Sequence, residues 1–247
     1  MKTFVKSVMS RTPFKITRQG RANRFAAIEG ALKSLSKRGF EPDHVFDAGA
    51  NVGSFASFAL QLFPKAMVHS IEPQPGCQES LEALRSKSGG RLAIYQAALG
   101  APEQNGSIVN LAADAASTST GAHIVSTAGA GKTIEVRCIT LDRLLQGALA
   151  ACEGALLKLD LQGYELEALR GGALTLGRCE VVLTEFSFYS QDYEPPILDL
   201  VSFMAEAGFK LYDVASIYAR PRDDRPRQGD FIFVRGSSPL MVDNSWN

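Results

Sequence analysis

Val45-Phe46-Asp47-Ala48-Gly49-Ala50-Asn51-Val52-Gly53 reads as a short buried strand that runs into a glycine-bearing turn and then a helix. Gly49 and Gly53 lack a Cβ, so the turn can be tight and a ligand can approach the backbone. Further on, Ala66-Met67-Val68-His69-Ser70-Ile71 has the look of a second strand and ends in Glu72. An acidic residue there, about 20 residues past a Gly-rich first turn, is placed to hydrogen-bond ribose hydroxyls. The pattern points to a nucleoside-containing cofactor.

Working outward, Ile28, Leu32 and Leu35 recur at helical spacing, which predicts an amphipathic helix over Arg24 to Arg38, ended by Gly39 and Pro42. A helix from Gly53 to Phe63 follows the first strand. After the second strand come a helix from Gly76 to Lys87 and a third strand from Leu92 to Ala97. This β/α order predicts a doubly wound parallel sheet. The middle differs: Ser107 to Leu111 and Thr133 to Cys138 have strand character and flank a Gly, Ala, Ser and Thr-rich stretch, Ala112 to Gly131. That stretch reads equally as a surface loop or antiparallel insertion and as a lid over the cofactor. Regular order returns with a strand Ala155 to Asp160, a helix Tyr164 to Thr175, a strand Glu180 to Phe186 and a helix Pro195 to Ala207. Two last strands, Lys210 to Val214 and Phe231 to Val234, enclose a charged loop, Arg220 to Asp230, and a loosely ordered tail follows Gly236. The expected division is a basic arm and helix (1–40), one α/β domain (41–236) and a tail (237–247).

The 247 residues are 45% hydrophobic with formal net charge zero. That can fill a large core but leaves no basic footprint for nucleic acid, so no such partner is expected. Four cysteines without metal-site spacing and three scattered histidines fit a cytoplasmic protein with free thiols. No apolar run approaches the roughly 18 residues of a membrane span. The first 28 residues carry seven Lys or Arg and no acid; they read first as a solvated arm, with a transit peptide or membrane contact as the alternative.

The cofactor can be narrowed. Aligning the dinucleotide pattern G-x-G-x-x-G on Gly49 places Asn51 at the second glycine and Ser54 at the third, and the second is needed for backbone to approach a pyrophosphate. No Gly-Lys-Ser/Thr follows, so a P-loop is excluded. A ribose site without a pyrophosphate cradle suits S-adenosylmethionine. Asp47 could then hydrogen-bond the ammonium of its methionine part, directly or through water, Gly49 would lie against that part, and Glu72 would take the ribose hydroxyls. Asn51, Gly53 and Ala97, the end of the third strand, complete the expected cofactor set.

Together with that opening stretch, Ile71-Glu72-Pro73, Thr140-Leu141-Asp142, Leu157 to Glu165 (LKLDLQGYE), Leu169-Arg170-Gly171-Gly172, Val181 to Glu185 and Asp230 to Arg235 resemble the FkbM-type S-adenosylmethionine-dependent methyltransferases. The motifs stand in family order from Pro42 to Arg235. Gln162 departs from the family, where Glu is frequent. The resemblance implies a Rossmann-like class I methyltransferase fold, a seven-stranded, mostly parallel sheet with helices on both faces, here with an N-terminal helical extension. It also implies O-methylation as the usual activity.

Methyl transfer from a sulfonium needs the acceptor oxygen held in line, and a hydroxyl acceptor gains from a general base. Asp160 and Glu185 end their strands and Glu165 follows the Gly163 turn, so these three are the catalytic candidates. Each also has a structural reading: ordering the turn, complementing a helix dipole, or pairing with a cation. Asp160 and Glu185 could also hold Mg²⁺. His123 is a further candidate base, Tyr164 and Phe188 could shape an acceptor pocket, and Lys158, inside its strand, should pair with a carboxylate or snorkel. The expected acceptor is a hydroxyl, or a carboxyl that needs no base, on a small molecule, sugar or glycan. A nicotinamide-dependent oxidoreductase and a non-catalytic binding protein that keeps the fold are the competing readings.

Overall fold

The computed structural model describes residues 24–113, 118–125, 132–189 and 194–242. Its strands are β1 (His44–Ala48), β2 (Met67–Ile71), β3 (Leu92–Tyr95), β4 (Ala98–Leu99), β5 (Ile108–Ala112), β6 (His123–Val125), β7 (Thr133–Ile139), β8 (Ala155–Leu159), β9 (Cys179–Ser187), β10 (Phe209–Ala219) and β11 (Pro226–Arg235). Its helices are α1 (Arg24–Lys37), α2 (Ser54–Leu62), α3 (Gln78–Lys87), α4 (Leu141–Leu144), α5 (Gln146–Leu149), α6 (Glu165–Arg170), α7 (Ala173–Arg178) and α8 (Ile197–Glu206). The main sheet has seven strands in the order β10-β11-β9-β8-β1-β2-β3. It is parallel from β9 to β3, and β11 runs antiparallel to both its neighbours. This is the expected seven-stranded, mostly parallel α/β sheet. The chain leaves β1 in one direction and resumes at β8 in the other, so the crevice at their carboxyl ends is the switch point where ligands bind.

The central strands are apolar on both faces because helices cover both. Phe46, Ala48, Leu157 and Leu159 face one core with Leu141, Leu169 and Met204. Val45 and Leu156 face the other with Leu32, Phe55 and Ala59. Such double burial produces near-continuous apolar strands rather than alternating ones.

Several boundaries differ from expectation. The third strand stops at Tyr95, and Ala98–Leu99 joins a second sheet, β4-β7-β5-β6, leaving Ala97 at the turn between the two. The middle segment is an antiparallel insertion of β5, β6 and β7; of the expected lid loop, 114–117 and 126–131 lie outside the described residues. The helix expected from Tyr164 to Thr175 is two helices, α6 and α7. A Cβ on Gly171 would come within 2.3 Å of the Gly100 carbonyl oxygen, so the chain turns there against its neighbour, and Asp142 caps α7 by accepting from the Leu174 and Thr175 N–H groups at 2.9 and 2.7 Å. The last two strands form a much longer hairpin than the apolar runs suggested, taking in Pro226 to Asp230 of the expected Arg220–Asp230 loop. After Gly236 the chain is anchored: Leu240 is buried and Ser238 Oγ donates to Glu180 at 2.6 Å. All four cysteines are free and buried, and among the described residues no helix is long and apolar enough to cross a membrane.

Candidate active site

A cleft enclosing about 660 Å³, its open mouth included, lies at the switch point. Gly49, Asn51, Glu72, Gln74, Ala97, Asp160, Gln162 and Tyr164 line it. Thus Gly49, Asn51, Glu72 and Ala97 come together as the sequence suggested. Glu72 is buried, and each oxygen accepts one backbone N–H: Oε2 from Asn51 at 2.7 Å and Oε1 from Gln74 at 3.0 Å. Burial raises its pKa, against those N–H groups and the Gln74 amide. Asn51 reaches its place with φ of 48°, a left-handed conformation that asparagine tolerates better than most residues. Its Nδ2 donates to the Thr118 carbonyl at 3.1 Å and Gln74 Nε2 donates to Ser119 at 3.0 Å. Segment 118–125 is thereby tied across the cleft as a roof, with His123 part of the lining.

Asp47 and Gly53 do not line the cleft. Asp47 is fully buried beneath the turn, in register with Lys158 on the adjacent strand. Lys158 Nζ stands 3.1 Å from Asp47 Oδ1 and donates to the Ala48 and Gly49 carbonyls at 3.2 and 2.7 Å. Burial works against the Lys158 charge, but Asp47 and then Asp160 outweigh it and raise its pKa. The expected contact of Asp47 with a cofactor ammonium is replaced by this ion pair, which clamps the turn from below. Gly53 precedes α2 with φ of 87°, and a Cβ there would crowd Leu81 and Leu84 at 3.1 and 3.0 Å; its role is packing. Gly49 is required twice: φ is 78° and a Cβ would stand 2.0 Å from the Asp160 carbonyl oxygen.

The three catalytic candidates separate. Glu165 is buried with both oxygens engaged, accepting from the Leu161 N–H at 2.6 Å and the Gly163 N–H at 3.0 Å. It holds the turn that follows β8, and burial pushes its pKa up to about 7. Asp160 and Glu185 stand side by side. Gln162 Nε2 donates to Asp160 Oδ1 at 2.8 Å and to Glu185 Oε2 at 3.0 Å. Gln162 has φ of 54° and Gly163 of 99°; this left-handed pair turns the amide back onto the carboxylates. Asp160 lines the cleft at the switch point, whereas Glu185 lines a smaller neighbouring cleft of about 330 Å³ with Glu165, Ser187, Glu194 and Gln228. Lys158 and Arg24 overcome the cost of burial and hold Asp160 below the usual carboxylate range. Burial and then Asp160 push Glu185 well above it. The two neighbours are thus pushed in opposite directions on the wall between the clefts.

Sequence reasoning missed the cation that joins them. Arg24, assigned to a solvated arm, reaches Asp160 Oδ2 at 3.1 Å, Glu185 Oε1 at 3.2 Å and Asp230 Oδ1 at 2.7 Å. Its guanidinium occupies the place considered for Mg²⁺, and no group of three or more potential metal ligands stands together among the described residues. Asp230 is also in register with Glu185 and with Ser216, whose hydroxyl donates to it. Period-two placement of Ser216, Asp230 and Glu185 was the available signal, but it needed the hairpin register. Tyr164 lines the cleft with its hydroxyl accepting from Gln104 Nε2 at 2.7 Å, while Phe188 packs edge-on against Phe186.

Comparison with known proteins gives one family: the profile described as the methyltransferase FkbM domain matches residues 47–211. No curated protein matches the chain. Among solved structures, magnesium protoporphyrin IX methyltransferase from Synechocystis PCC 6803 with bound SAM is similar at 13% identity and TM-score 0.45, covering 95% of this chain and 96% of that one. Precorrin-6y C5,15-methyltransferase from Geobacter metallireducens GS-15 is similar at 12% identity and TM-score 0.45, covering 90% and 94%. The acceptors in those names belong to those proteins.

Proposed function

The chain belongs to the FkbM methyltransferase family, and on that premise we propose that it transfers a methyl group from S-adenosylmethionine to a hydroxyl oxygen of a small molecule or carbohydrate. S-adenosylmethionine supplies an electrophilic methyl group on a positively charged sulfur. The observation that carries the fit is the lining of the donor cleft, which contains Glu72 and Asp160 but no Lys or Arg among its described residues. An acidic, cation-free wall suits ribose hydroxyls and a sulfonium. It suits the pyrophosphate of a nicotinamide dinucleotide poorly.

In this reading Glu72 is oriented by the Asn51 and Gln74 N–H groups; Oε1 accepts both Gln74 donors, and Oε2 keeps a free lone pair for a ribose hydroxyl. Gly49, Asn51 and Ala97 form the adjoining walls. Asp160 accepts the proton of the acceptor hydroxyl, because it is the ionised member of its pair and reaches the donor cleft. Glu185 shares the wall, its pKa raised by burial and by Asp160, and Glu165 fixes the turn between them. Gln162, one amide on two carboxyl groups, keeps their separation constant, so the acceptor oxygen is held by position more than by charge.

Calorimetry with S-adenosylhomocysteine, S-adenosylmethionine and NADH tests this. S-adenosylhomocysteine should bind and NADH should not. Glu72→Gln should weaken binding roughly ten- to hundredfold, as expected for hydrogen bonds to a charged group. Binding of NADH in preference, or an unchanged affinity in Glu72→Gln, would sink the assignment.

A further inference from the structure

Arg24 and Asp230 both lie outside the matched segment 47–211, yet they complete the carboxylate cluster. Asp230 is 1% exposed, and its oxygens take Arg24 Nε at 3.1 and 3.2 Å as well as Nη2 at 2.7 Å. That is the planar, forked geometry at which guanidinium and carboxylate bind most tightly. With Nε and Nη2 seated there, Nη2 also stands 3.1 Å from Asp160 Oδ2 and Nη1 stands 3.2 Å from Glu185 Oε1. Arg24 opens α1, whose Ile28, Leu32 and Leu35 are buried in the core, so the helix delivers the guanidinium to the strand ends at a fixed angle.

We propose that Arg24 is a positioning residue for methyl transfer: anchored on Asp230, its guanidinium aligns Asp160 at the wall of the donor cleft and keeps it distinct from Glu185. The proposal rests on Asp160 as the base. Two carboxyl groups bridged only by the Gln162 amide would share a proton between them, and neither would be a defined base. The charges facing the pair are Lys158 on β8, Asp47 on β1, Glu165 on α6, Asp230 on β11 and Arg24; Ser216 and Tyr218 on β10 are the neutral groups nearby. Arg24 is the cation among them that touches both members. It lowers the Asp160 pKa and opposes the rise at Glu185.

The test compares the full chain with Arg24→Gln and Arg24→Lys. Side-chain carboxyl titrations are followed by carbon-13 NMR, with Asp160→Asn and Glu185→Gln used for assignment. S-adenosylhomocysteine formed from S-adenosylmethionine, with total cell extract as the acceptor source, is followed against pH. Arg24→Gln should move the Asp160 midpoint up by about one pH unit or more, a tenfold weaker acid. It should shift the acid limb of turnover by the same amount and leave S-adenosylhomocysteine affinity within about threefold. Arg24→Lys keeps the charge without the fork; it should hold the midpoint nearer its original place while turnover still falls severalfold, and it carries the test if the Gln variant fails to fold. An unmoved Asp160 midpoint in Arg24→Gln, or an unmoved limb beside a moved midpoint, overturns the proposal. Full turnover in Asp160→Asn would instead overturn the base assignment, and the titration still decides whether Arg24 governs the pair.

Discussion

The donor and acceptor sides of the crevice hold their carboxylates in different ways. On the donor side Glu72 is fixed by the Asn51 and Gln74 N–H groups, 21 and 2 positions away in the chain. Lys158 faces Asp47 in the register of neighbouring parallel strands. On the acceptor side the cation comes from Arg24, 206 positions from its Asp230 anchor, and the cluster draws on β8, β9, β11 and α1. Backbone donors close to the turn suit a ribose common to many enzymes. Long-range side chains suit an acceptor peculiar to this one. The proposed donor side is therefore assembled from groups on neighbouring elements, and the proposed acceptor side from groups far apart in the chain.

The strongest way to break the donor side is from below. Asp47→Ala leaves a buried ammonium with two carbonyls but without its counter-charge. Removing one partner of a buried ion pair costs about 3–5 kcal/mol, whereas replacing both by apolar groups is often neutral. Urea unfolding should show that loss in Asp47→Ala, and Asp47→Ala combined with Lys158→Met should recover most of it. If the double variant is no more stable than the single, the pair is not the clamp described.

The same contrast explains what could be read from residues alone. The turn from Val45 to Gly53, the β/α order and Glu72 were legible because strand, turn and ligand groups are neighbours in sequence. The pairing of Asp47 with Lys158 was not legible, because a strand's period of two says that they share a face only once β1 and β8 are known to pair in that register. Arg24 looked like one more basic residue of an arm. Its three partners are strands apart, and no local spacing connects them. The β10–β11 hairpin was shortened because charged residues such as Asp213, Arg227 and Asp230 interrupt its apolar runs, and Asp230 is charged there because it meets Arg24.

Two buried groups, one from each half of the sheet, give a smaller and sign-specific test. His69 on β2 lies between His44 at 3.0 Å and Tyr95 at 3.2 Å. Burial and then His44 lower its pKa from 6.5 to about 4. Glu165 is raised from 4.5 to about 7 by burial first. From about pH 4 to 6.5 the unfolded chain binds more protons at His69, so that residue makes stability rise with pH. From 4.5 to about 7 the native state binds more at Glu165, so that one makes stability fall. Each gap is worth about 3 kcal/mol, and between pH 4.5 and 6.5 the two nearly cancel. Glu165→Gln should unmask the histidine: its unfolding free energy, relative to the unaltered protein, should climb by about 3 kcal/mol from pH 4.5 to 7. His69→Gln should do the reverse, falling relative to the unaltered protein over nearly the same interval. The carboxylates common to all three proteins drop out of these differences. Parallel pH curves for the two variants would mean that neither side chain is held in the charge state its burial dictates.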